Sequence, residues 1–275
     1  MRKRTAVNLA NRLVSSLSKR ISYKRDFFYG KVYDSYGLCD EVALAVDTVN
    51  AINNSDSIVL DVGANKGDYS TLMAASLGKN SLIHCFEPSI SHGESLRALQ
   101  DRYKGKLLYH PFGLSSNEGS KQLFKDRDGS GLASFYDRDI AHYGLSLNQS
   151  EVVTTTTLDH WFKSSGINRI SFLKVDVEGH ELEVFKGGAH VLSSGWVDAL
   201  QFEFGGCNID SKTYFKDFFS LLSTTHGFKL FRLAPGKRLV DMNSYSEALE
   251  CFTWQNIVGF RDMSFIPLWY TIVYD

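Results

Sequence analysis

The feature that most constrains the fold of this chain is a repeated alternation of short β-like runs and helical segments from about Ser57 onward. This rhythm favours a mostly parallel sheet with helices on both faces, since parallel neighbours need a crossover between them. We therefore expect an α/β fold. Strands are predicted over 57–62, 81–86, 106–109, 170–175, 199–204, 228–233 and 253–260, and helices over 69–77, 89–103, 181–192 and 214–226.

The alternation breaks between residues 113 and 158, where polar turns surround two short extended pieces. A stretch of this length without a crossover helix is more typical of a functional insertion than of a connector. We predict that this insertion, at about 113–158, recognises the substrate, through hydroxyls and flat apolar faces that suit a sugar. The candidate residues are Ser130, Ser134, Tyr136, His142 and Tyr143.

Charge is unevenly distributed along the chain. The formal net charge over 275 residues is −1, yet residues 1–25 carry eight Lys or Arg and no acid. The remainder holds 22 basic and 31 acidic side chains, a net charge of −9, which makes duplex DNA an unfavourable partner. Apolar residues recur every three to four positions from Ala6 to Ile21, so we predict a basic N-terminal helical extension over 1–50 and a catalytic domain over 51–275.

The basic extension has more than one interpretation. We expect its helix to pack on the main domain with its charges in water, while a helix resting on an anionic membrane surface is the alternative. An organelle transit peptide is a third interpretation, whereas polar residues interrupt any stretch long enough for a signal peptide or a membrane span. Four scattered cysteines show no metal-binding or redox spacing, so we expect a cytoplasmic protein, with peripheral membrane contact through residues 1–25 left open.

Polar and glycine residues follow the predicted strands at the points where the strands end. In an open parallel sheet, ligands bind outside the carboxyl ends of the strands, so these side chains are expected to surround one pocket. They are Asp61, Gly63, Asn65, Gly67, Glu87, Asp176, Glu178, His180 and Glu203.

The turn after the first predicted strand separates two classes of cofactor. In a dinucleotide fingerprint, G-x-G-x-x-G, the second glycine lets a pyrophosphate approach the backbone, and here that position is Asn65. Asp61 and a helix N-terminus suit instead a zwitterionic group, and Glu87 stands where an acid can hold the hydroxyls of a ribose. The pattern favours a nucleoside cofactor such as S-adenosylmethionine.

Three stretches resemble the FkbM family of S-adenosylmethionine-dependent methyltransferases: 59–67 (VLDVGANKG), 85–88 (CFEP) and above all 173–189 (LKVDVEGHELEVFKGGA). The resemblance covers about residues 57–204. It implies a Rossmann-like class I methyltransferase fold with a mostly parallel seven-stranded sheet, and methyl transfer usually to a hydroxyl oxygen. The methionine end of the cofactor would lie at Asp61, Gly63 and Gly67, and the ribose at Glu87. The full set of candidate cofactor residues is Asp61, Gly63, Asn65, Gly67, Glu87, Gly113, Leu114 and Asp176.

A hydroxyl is a weak nucleophile, so a base within hydrogen-bond reach is expected. The candidates are Asp176, Glu178, His180 and Glu203, among which His180 titrates nearest neutrality. Two carboxylates make a thin ligand set for a divalent ion, and we predict no metal. The expected function is S-adenosylmethionine-dependent O-methylation of a hydroxyl on a saccharide or small natural product. The alternatives are an NAD(P)-dependent oxidoreductase and a non-catalytic cofactor-binding or membrane-associated protein.

Overall fold

The computed structural model describes residues 19, 21–31, 37–52 and 56–274. Within these residues, twelve strands form two sheets: β1 (Ile58–Val62), β2 (Leu82–Phe86), β3 (Leu107–His110), β4 (Gly113–Leu114), β5 (Gly119–Lys125), β6 (Gln149–Thr156), β7 (Ile170–Val175), β8 (Val197–Phe204), β9 (Lys229–Ala234), β10 (Arg238–Asp241), β11 (Gln255–Phe260) and β12 (Thr271–Val273). Residues 21–28 are also helical, next to residues that the structure does not describe. The α-helices whose bounds are given are α1 (Gly37–Ala51), α2 (Asp68–Ser76), α3 (Gly93–Arg102), α4 (Leu158–Ser165), α5 (Glu181–Lys186), α6 (Ala189–Ser193), α7 (Cys207–Ser211) and α8 (Phe215–Phe218).

The large sheet has the order β12-β10-β9-β11-β8-β7-β1-β2-β3. Strands β3, β2, β1, β7 and β8 run parallel, and β11 is antiparallel to both of its neighbours. The predicted Rossmann-like α/β fold is confirmed, but with nine strands rather than seven in the large sheet. The additional strands are β10, which returns from β9 through the turn 235–237, and the short strand β12 beside it.

Two of the predicted helices are interrupted. The segment 181–192 splits into α5 and α6 at Gly187, where an added Cβ would lie 2.0 Å from the backbone oxygen of Ser115. The segment 214–226 contains only the short helix α8, followed by a π-helix over Phe219–Thr225. A periodic apolar pattern does not reveal these local changes of hydrogen bonding.

Helices cover both faces of the sheet, as predicted. One core cluster packs α4, α5, α6 and α8 against the sheet, and the other packs α1, α2 and α3 on the opposite face. Among the described residues, no helix is both long and apolar enough to cross a bilayer.

The N-terminal boundary that we predicted at residue 51 is not a structural one. Helix α1 buries Val42, Leu44, Ala45 and Val49 in the second core cluster, so residues 37–50 pack as part of the domain. Most of the predicted amphipathic face, from Ala6 to Leu17, lies outside the described residues. Ile21, its last member, is 61% exposed.

The predicted insertion forms a small sheet of its own, with the order β4-β6-β5. Strand β6 pairs with β4 in parallel and with β5 in antiparallel register. The loop between β5 and β6 carries Ser130 and Ser134 back toward the carboxyl ends of the large sheet, where Ser134 contacts the residues after β7.

Candidate active site

One cavity opens at the carboxyl ends of β1, β2, β7 and β8. Its empty space, including the open solvent at its mouth, measures about 760 Å³. Nine of the residues predicted from the sequence line it: Gly63, Asn65, Glu87, Gly113, Leu114, Ser130, Asp176, Glu178 and Glu203.

The turn after β1 forms one wall of this cavity. Gly63 has a φ of +83°, and an added Cβ would lie 1.8 Å from the backbone oxygen of Asp176. The backbone N–H of Gly63 donates to the oxygen of Phe86 at 2.9 Å, which ties the turn to the end of β2. Asn65 is also left-handed, with a φ of +50°, and its side chain donates to the backbone oxygen of Ser130 at 3.3 Å. The turn is therefore fixed by two strand ends and by the insertion.

Glu87 lies at the end of β2 with its carboxylate held by the backbone. Its Oε2 accepts the N–H of Asn65 at 2.9 Å and its Oε1 the N–H of Ser89 at 2.9 Å. Burial raises the pKa of Glu87 to about 7, although these two hydrogen bonds act to lower it. Because each carboxylate oxygen has a second lone pair, Glu87 can still accept hydrogen bonds from a ligand in the cavity.

Asp61 and Gly67 were predicted to contact the cofactor, but neither lines the cavity. Asp61 is fully buried below it, accepting from the Oγ of Ser70 at 2.6 Å and from the Nζ of Lys174 at 3.2 Å. Gly67 precedes α2 with a φ of +90° and faces Leu99, whose Cδ1 would lie 2.4 Å from an added Cβ. Both residues support the turn after β1 from behind.

Lys174 is a residue that the sequence analysis missed. Its Nζ lies 3.2 Å from Asp61 and 3.3 Å from Asp176, and 5.0 Å from the centre of the Tyr69 ring. Burial alone would lower the pKa of Lys174, but Asp61, Asp176 and Glu41 together raise it above its ordinary value. A charged lysine in the buried, mostly apolar strand β7 was the signal that could have revealed this ion pair.

The turn after β7 carries the next part of the site. Glu178 is left-handed, with a φ of +54°, and the insertion holds it at two points. Ser134 Oγ donates to its backbone oxygen at 2.7 Å, and the guanidinium of Arg138 donates to its carboxylate. Burial and the nearby Asp176 raise the pKa of Glu178 to about 7, while Arg138 acts to lower it.

Glu203 lines the same cavity from the end of β8. Burial, with Asp176 and Glu178 close by, raises the pKa of Glu203 well above its ordinary value. A hydrogen bond from the side chain of Trp254 acts in the opposite direction.

His180, the predicted base, does not line the cavity. It is 3% exposed, with its Nε2 2.9 Å from Ser115 Oγ and its Nδ1 3.2 Å from Tyr136 OH. Burial lowers the pKa of His180 to about 4. The two left-handed residues before it, Glu178 and Gly179, change the chain direction so that the imidazole packs under the insertion. This geometry does not support His180 as the base.

The four remaining residues that were predicted to bind the acceptor do not line the cavity. Ser134 is fully buried and supports Glu178, while Tyr136 lines a separate groove with His180. His142 and Tyr143 lie on a 3₁₀ turn outside the cavity, and Tyr143 is 67% exposed. The insertion instead supplies lining residues that the sequence did not indicate: Leu123, Gly131, Ala133 and Phe135.

The charge of the cavity restricts its ligand. Four carboxylates line it, and none of its described lining residues is Lys or Arg. This donor set suits a cationic group and disfavours a pyrophosphate. In the described part of the chain, no group of three or more His, Cys, Asp or Glu is arranged to hold a metal ion.

Comparison with known sequences identifies the family. The family model described as the methyltransferase FkbM domain matches residues 61–230. The chain belongs to the FkbM methyltransferase family. The resemblance found in the sequence is thereby confirmed, and the NAD(P)-dependent oxidoreductase alternative is set aside.

Two curated relatives are similar in sequence to part of this FkbM methyltransferase. The hexuronic acid methyltransferase AglP of Haloferax volcanii is 28% identical over 167 residues, which are 60% of this chain and 62% of AglP. The 2-O-methyltransferase NoeI of Sinorhizobium fredii is 26% identical over 160 residues, 53% of this chain and 63% of NoeI. The chain thus spans less than two thirds of the length of either relative.

Solved structures are similar to this chain at lower sequence identity. A putative O-methyltransferase from Klebsiella pneumoniae has a TM-score of 0.47 at 7% identity, covering 83% of this chain and 80% of its own. Fibrillarin from Aeropyrum pernix, solved with bound S-adenosylmethionine, has a TM-score of 0.40 at 10% identity, covering 75% and 66%.

S-adenosylmethionine is the cofactor of this FkbM methyltransferase. The cavity residues fit it. The lining carboxyl groups can accept hydrogen bonds from its ammonium, and the backbone-held carboxylate of Glu87 can accept ribose hydroxyls. Gly113 and Leu114, with Pro88, supply the apolar lining that a flat base needs. The assignment of individual residues to parts of the cofactor stays a prediction.

Proposed function

We propose that this methyltransferase transfers a methyl group to a hydroxyl oxygen of a saccharide or small natural product. The observation that supports the proposal is that Asp176, Glu178 and Glu203 line the cofactor cavity together. S-adenosylmethionine supplies a methyl group that its sulfonium already activates. The chain itself must therefore align an alcohol and accept its proton, which is a task for a carboxylate.

Among the candidate bases, Glu178 has the most suitable surroundings. A base is most effective when its pKa lies near the working pH, and burial raises that of Glu178 to about 7. Arg138 occupies only its Oε2, which leaves the other carboxylate oxygen for an acceptor. Asp176 is paired with Lys174, and His180 faces away from the cavity. We assign His180 a positioning role, since it links Ser115 to Tyr136.

Two relatives support a saccharide acceptor. AglP is a hexuronic acid methyltransferase and NoeI a 2-O-methyltransferase, and they are 28% and 26% identical to this chain over 167 and 160 residues. Pyranosides with a free hydroxyl, including glucuronides, are therefore the first acceptors to test.

The experiment is a transfer assay with S-adenosylmethionine labelled in its methyl group. Methyl β-D-glucuronide, methyl β-D-glucoside and simple alcohols are offered to the wild type and to Glu178→Gln. We expect the substitution to lower kcat by about 100-fold, because general base catalysis contributes roughly 10²–10⁴-fold. Binding of S-adenosylhomocysteine should remain within a few-fold of wild type.

The matched control is Glu151→Gln, an acid outside the cavity lining that binds Ser89 and Lys125. Near-normal turnover by Glu178→Gln would assign the base to Asp176 or Glu203. Labelling of amines but of no hydroxyl would contradict O-methylation, and cofactor binding without any transfer would favour the non-catalytic alternative.

The cytoplasmic location and the membrane contact of residues 1–25 also stay proposals, supported by the excess of basic residues there. Cosedimentation of the full chain with phosphatidylserine vesicles tests the membrane contact, with a chain lacking residues 1–25 as the control. Equal sedimentation of the two proteins would contradict it.

A further inference from the structure

An aromatic side chain stands beside the carboxylate at the end of β8. Trp254 is 37% exposed, and its side chain donates a hydrogen bond to Glu203, which lines the cavity. The sequence analysis did not single out Trp254.

The pairing of β11 with β8 fixes this placement. The two strands are antiparallel, with Asn256 opposite Glu203, so the residues that precede β11 lie at the carboxyl edge of β8. Trp254 therefore stands next to Gly205, where an added Cβ would lie 3.0 Å from the Trp254 Cα. The indole therefore belongs to the residue directly before β11.

Further aromatic side chains lie along the same edge. The ring centre of Phe252 is 6.3 Å from that of Tyr214, which is 56% exposed, and 5.3 Å from that of Phe204 in β8. Because successive side chains of a strand point to opposite faces, Phe252 and Tyr214 pack on the Phe204 face of β8, and Trp254 is the aromatic side chain beside the Glu203 carboxylate.

An aromatic ring beside a carboxylate matches the two kinds of surface on a sugar ring. A pyranose presents a face of C–H groups, which packs on an aromatic ring, and a rim of hydroxyls, which donate to carboxylates. We infer that Trp254 is the platform on which a pyranose acceptor stacks, with one of its hydroxyls directed to Glu203. This inference rests on the proposed saccharide O-methylation and adds the residue that selects a ring-shaped acceptor.

The chain offers a matched control in Trp269. It is 56% exposed, and its Nε1 donates to an acid, Asp47 of α1, at 2.8 Å. Neither Trp254 nor Trp269 lines the cavity itself, but Glu203, the partner of Trp254, does, whereas Asp47 does not. Trp269→Ala thus removes an exposed, acid-bonded indole elsewhere on the molecule.

The test measures steady-state methylation of methyl β-D-glucuronide and methyl β-D-glucoside, and of glycerol as an acyclic polyol. Trp254→Ala should raise KM for the pyranosides by about five- to tenfold, the size expected for one aromatic contact. KM for glycerol and the affinity for S-adenosylhomocysteine should change by less than twofold. Trp254→Phe should restore most of the pyranoside KM, because it keeps a flat ring, and Trp269→Ala should behave as wild type.

The outcomes separate the two proposals. Unchanged pyranoside KM in Trp254→Ala, while the wild type methylates pyranosides, overturns the platform and leaves the proposed function intact. Equal losses for pyranosides and glycerol also overturn it, since they indicate a general structural role. A wild-type enzyme that methylates no pyranoside overturns both.

Discussion

At the scale of single residues, the site depends on carboxylates that the protein holds with its own backbone and with one buried lysine. Glu87 accepts two backbone N–H groups, and Asp61 and Asp176 share the ammonium of Lys174. Buried charges of this kind are stable only while every partner is in place. Two predictions follow from these contacts.

Glu87→Gln should weaken binding of S-adenosylhomocysteine by about 10- to 100-fold, since a hydrogen bond to a charged group is worth roughly 1.5–3 kcal/mol. The amide would also direct an N–H₂ group against the N–H of Asn65 or Ser89, which both now donate to Glu87. Titration calorimetry measures the effect, with Glu151→Gln as the control. Unchanged affinity would show that Glu87 does not contact the cofactor.

Lys174→Met should reduce the free energy of unfolding by about 3–5 kcal/mol, because it leaves two carboxylates without their buried partner. Denaturant unfolding measures it, and adding Asp61→Asn to the variant should recover part of the loss. Lys186→Met, which removes a half-exposed pair with Glu183, should cost less than about 1 kcal/mol. Additive losses in the double variant would argue against the ion pair.

At the scale of elements, the site is a contact between the turn after β1 and the end of β7. Gly63 touches the backbone of Asp176, and the N–H of Asp176 donates to the oxygen of Val62 at 2.9 Å. Any side chain at position 63 must therefore separate the two strand ends that carry the cavity.

Gly63→Ala should destabilise the fold by about 2 kcal/mol or more, because the methyl group overlaps a backbone atom and the φ is left-handed. Cofactor affinity should fall as well, since the wall of the cavity moves. Thermal unfolding and calorimetry check both effects. The control is Gly78→Ala, where an added Cβ meets nothing within 4 Å; similar losses in the two variants would contradict the explanation.

At the scale of the whole molecule, the two core clusters enclose an unusual number of titratable groups. Burial raises the pKa of Glu41, Glu87, Glu178 and Glu181 to about 7, from ordinary values of 4.5. It lowers the pKa of His84, His110 and His180 to about 4, from ordinary values of 6.5. Both groups of side chains prefer their neutral forms in the fold.

The cofactor-free protein should therefore become more stable as the pH falls from 8 to about 6.5. Over this window the folded chain takes up protons on the acids before the unfolded chain does. Below pH 6.5 the unfolded chain protonates its histidines first, which opposes the gain, so the curve should flatten. Thermal unfolding across this range measures it.

Glu181→Gln is the informative variant for this pH dependence. Glu181 is fully buried, and its Oε1 accepts the N–H groups of Val177 and Gly179, which a glutamine oxygen can also accept. The gain in thermal stability between pH 8 and 6.5 should be smaller in Glu181→Gln than in the wild type. Glu118→Gln, at an exposed position, should leave this gain unchanged. An unaltered gain in Glu181→Gln would contradict a raised pKa of Glu181.

The limits of the sequence are clearest at His180 and Trp254. Gly63, Asn65, Glu87, Asp176, Glu178 and Glu203 could be predicted because each immediately follows or ends a strand, and parallel strand ends meet at one edge. His180 lies only two residues after Glu178, but the left-handed turn between them directs it to the other side of the insertion.

The contributions of distant segments could not be predicted at all. Arg138, Phe135 and Trp254 reach the site through loops and through the antiparallel strand β11, which no local periodicity encodes. Helix α1 illustrates the same limit in the fold, since its place in the core depends on contacts with strands far along the chain.

The sequence by itself determined the α/β rhythm, the family, the cofactor and the strand-end residues of the cavity, because these depend on local pattern and on motifs contiguous in the chain. Only the tertiary structure decided that Asp61 lies beneath the cavity, that Lys174 joins it to Asp176, and that Glu178 rather than His180 lines the cavity. The physical reason is that side-chain direction and burial are set by the backbone turns and by packing between segments distant in sequence.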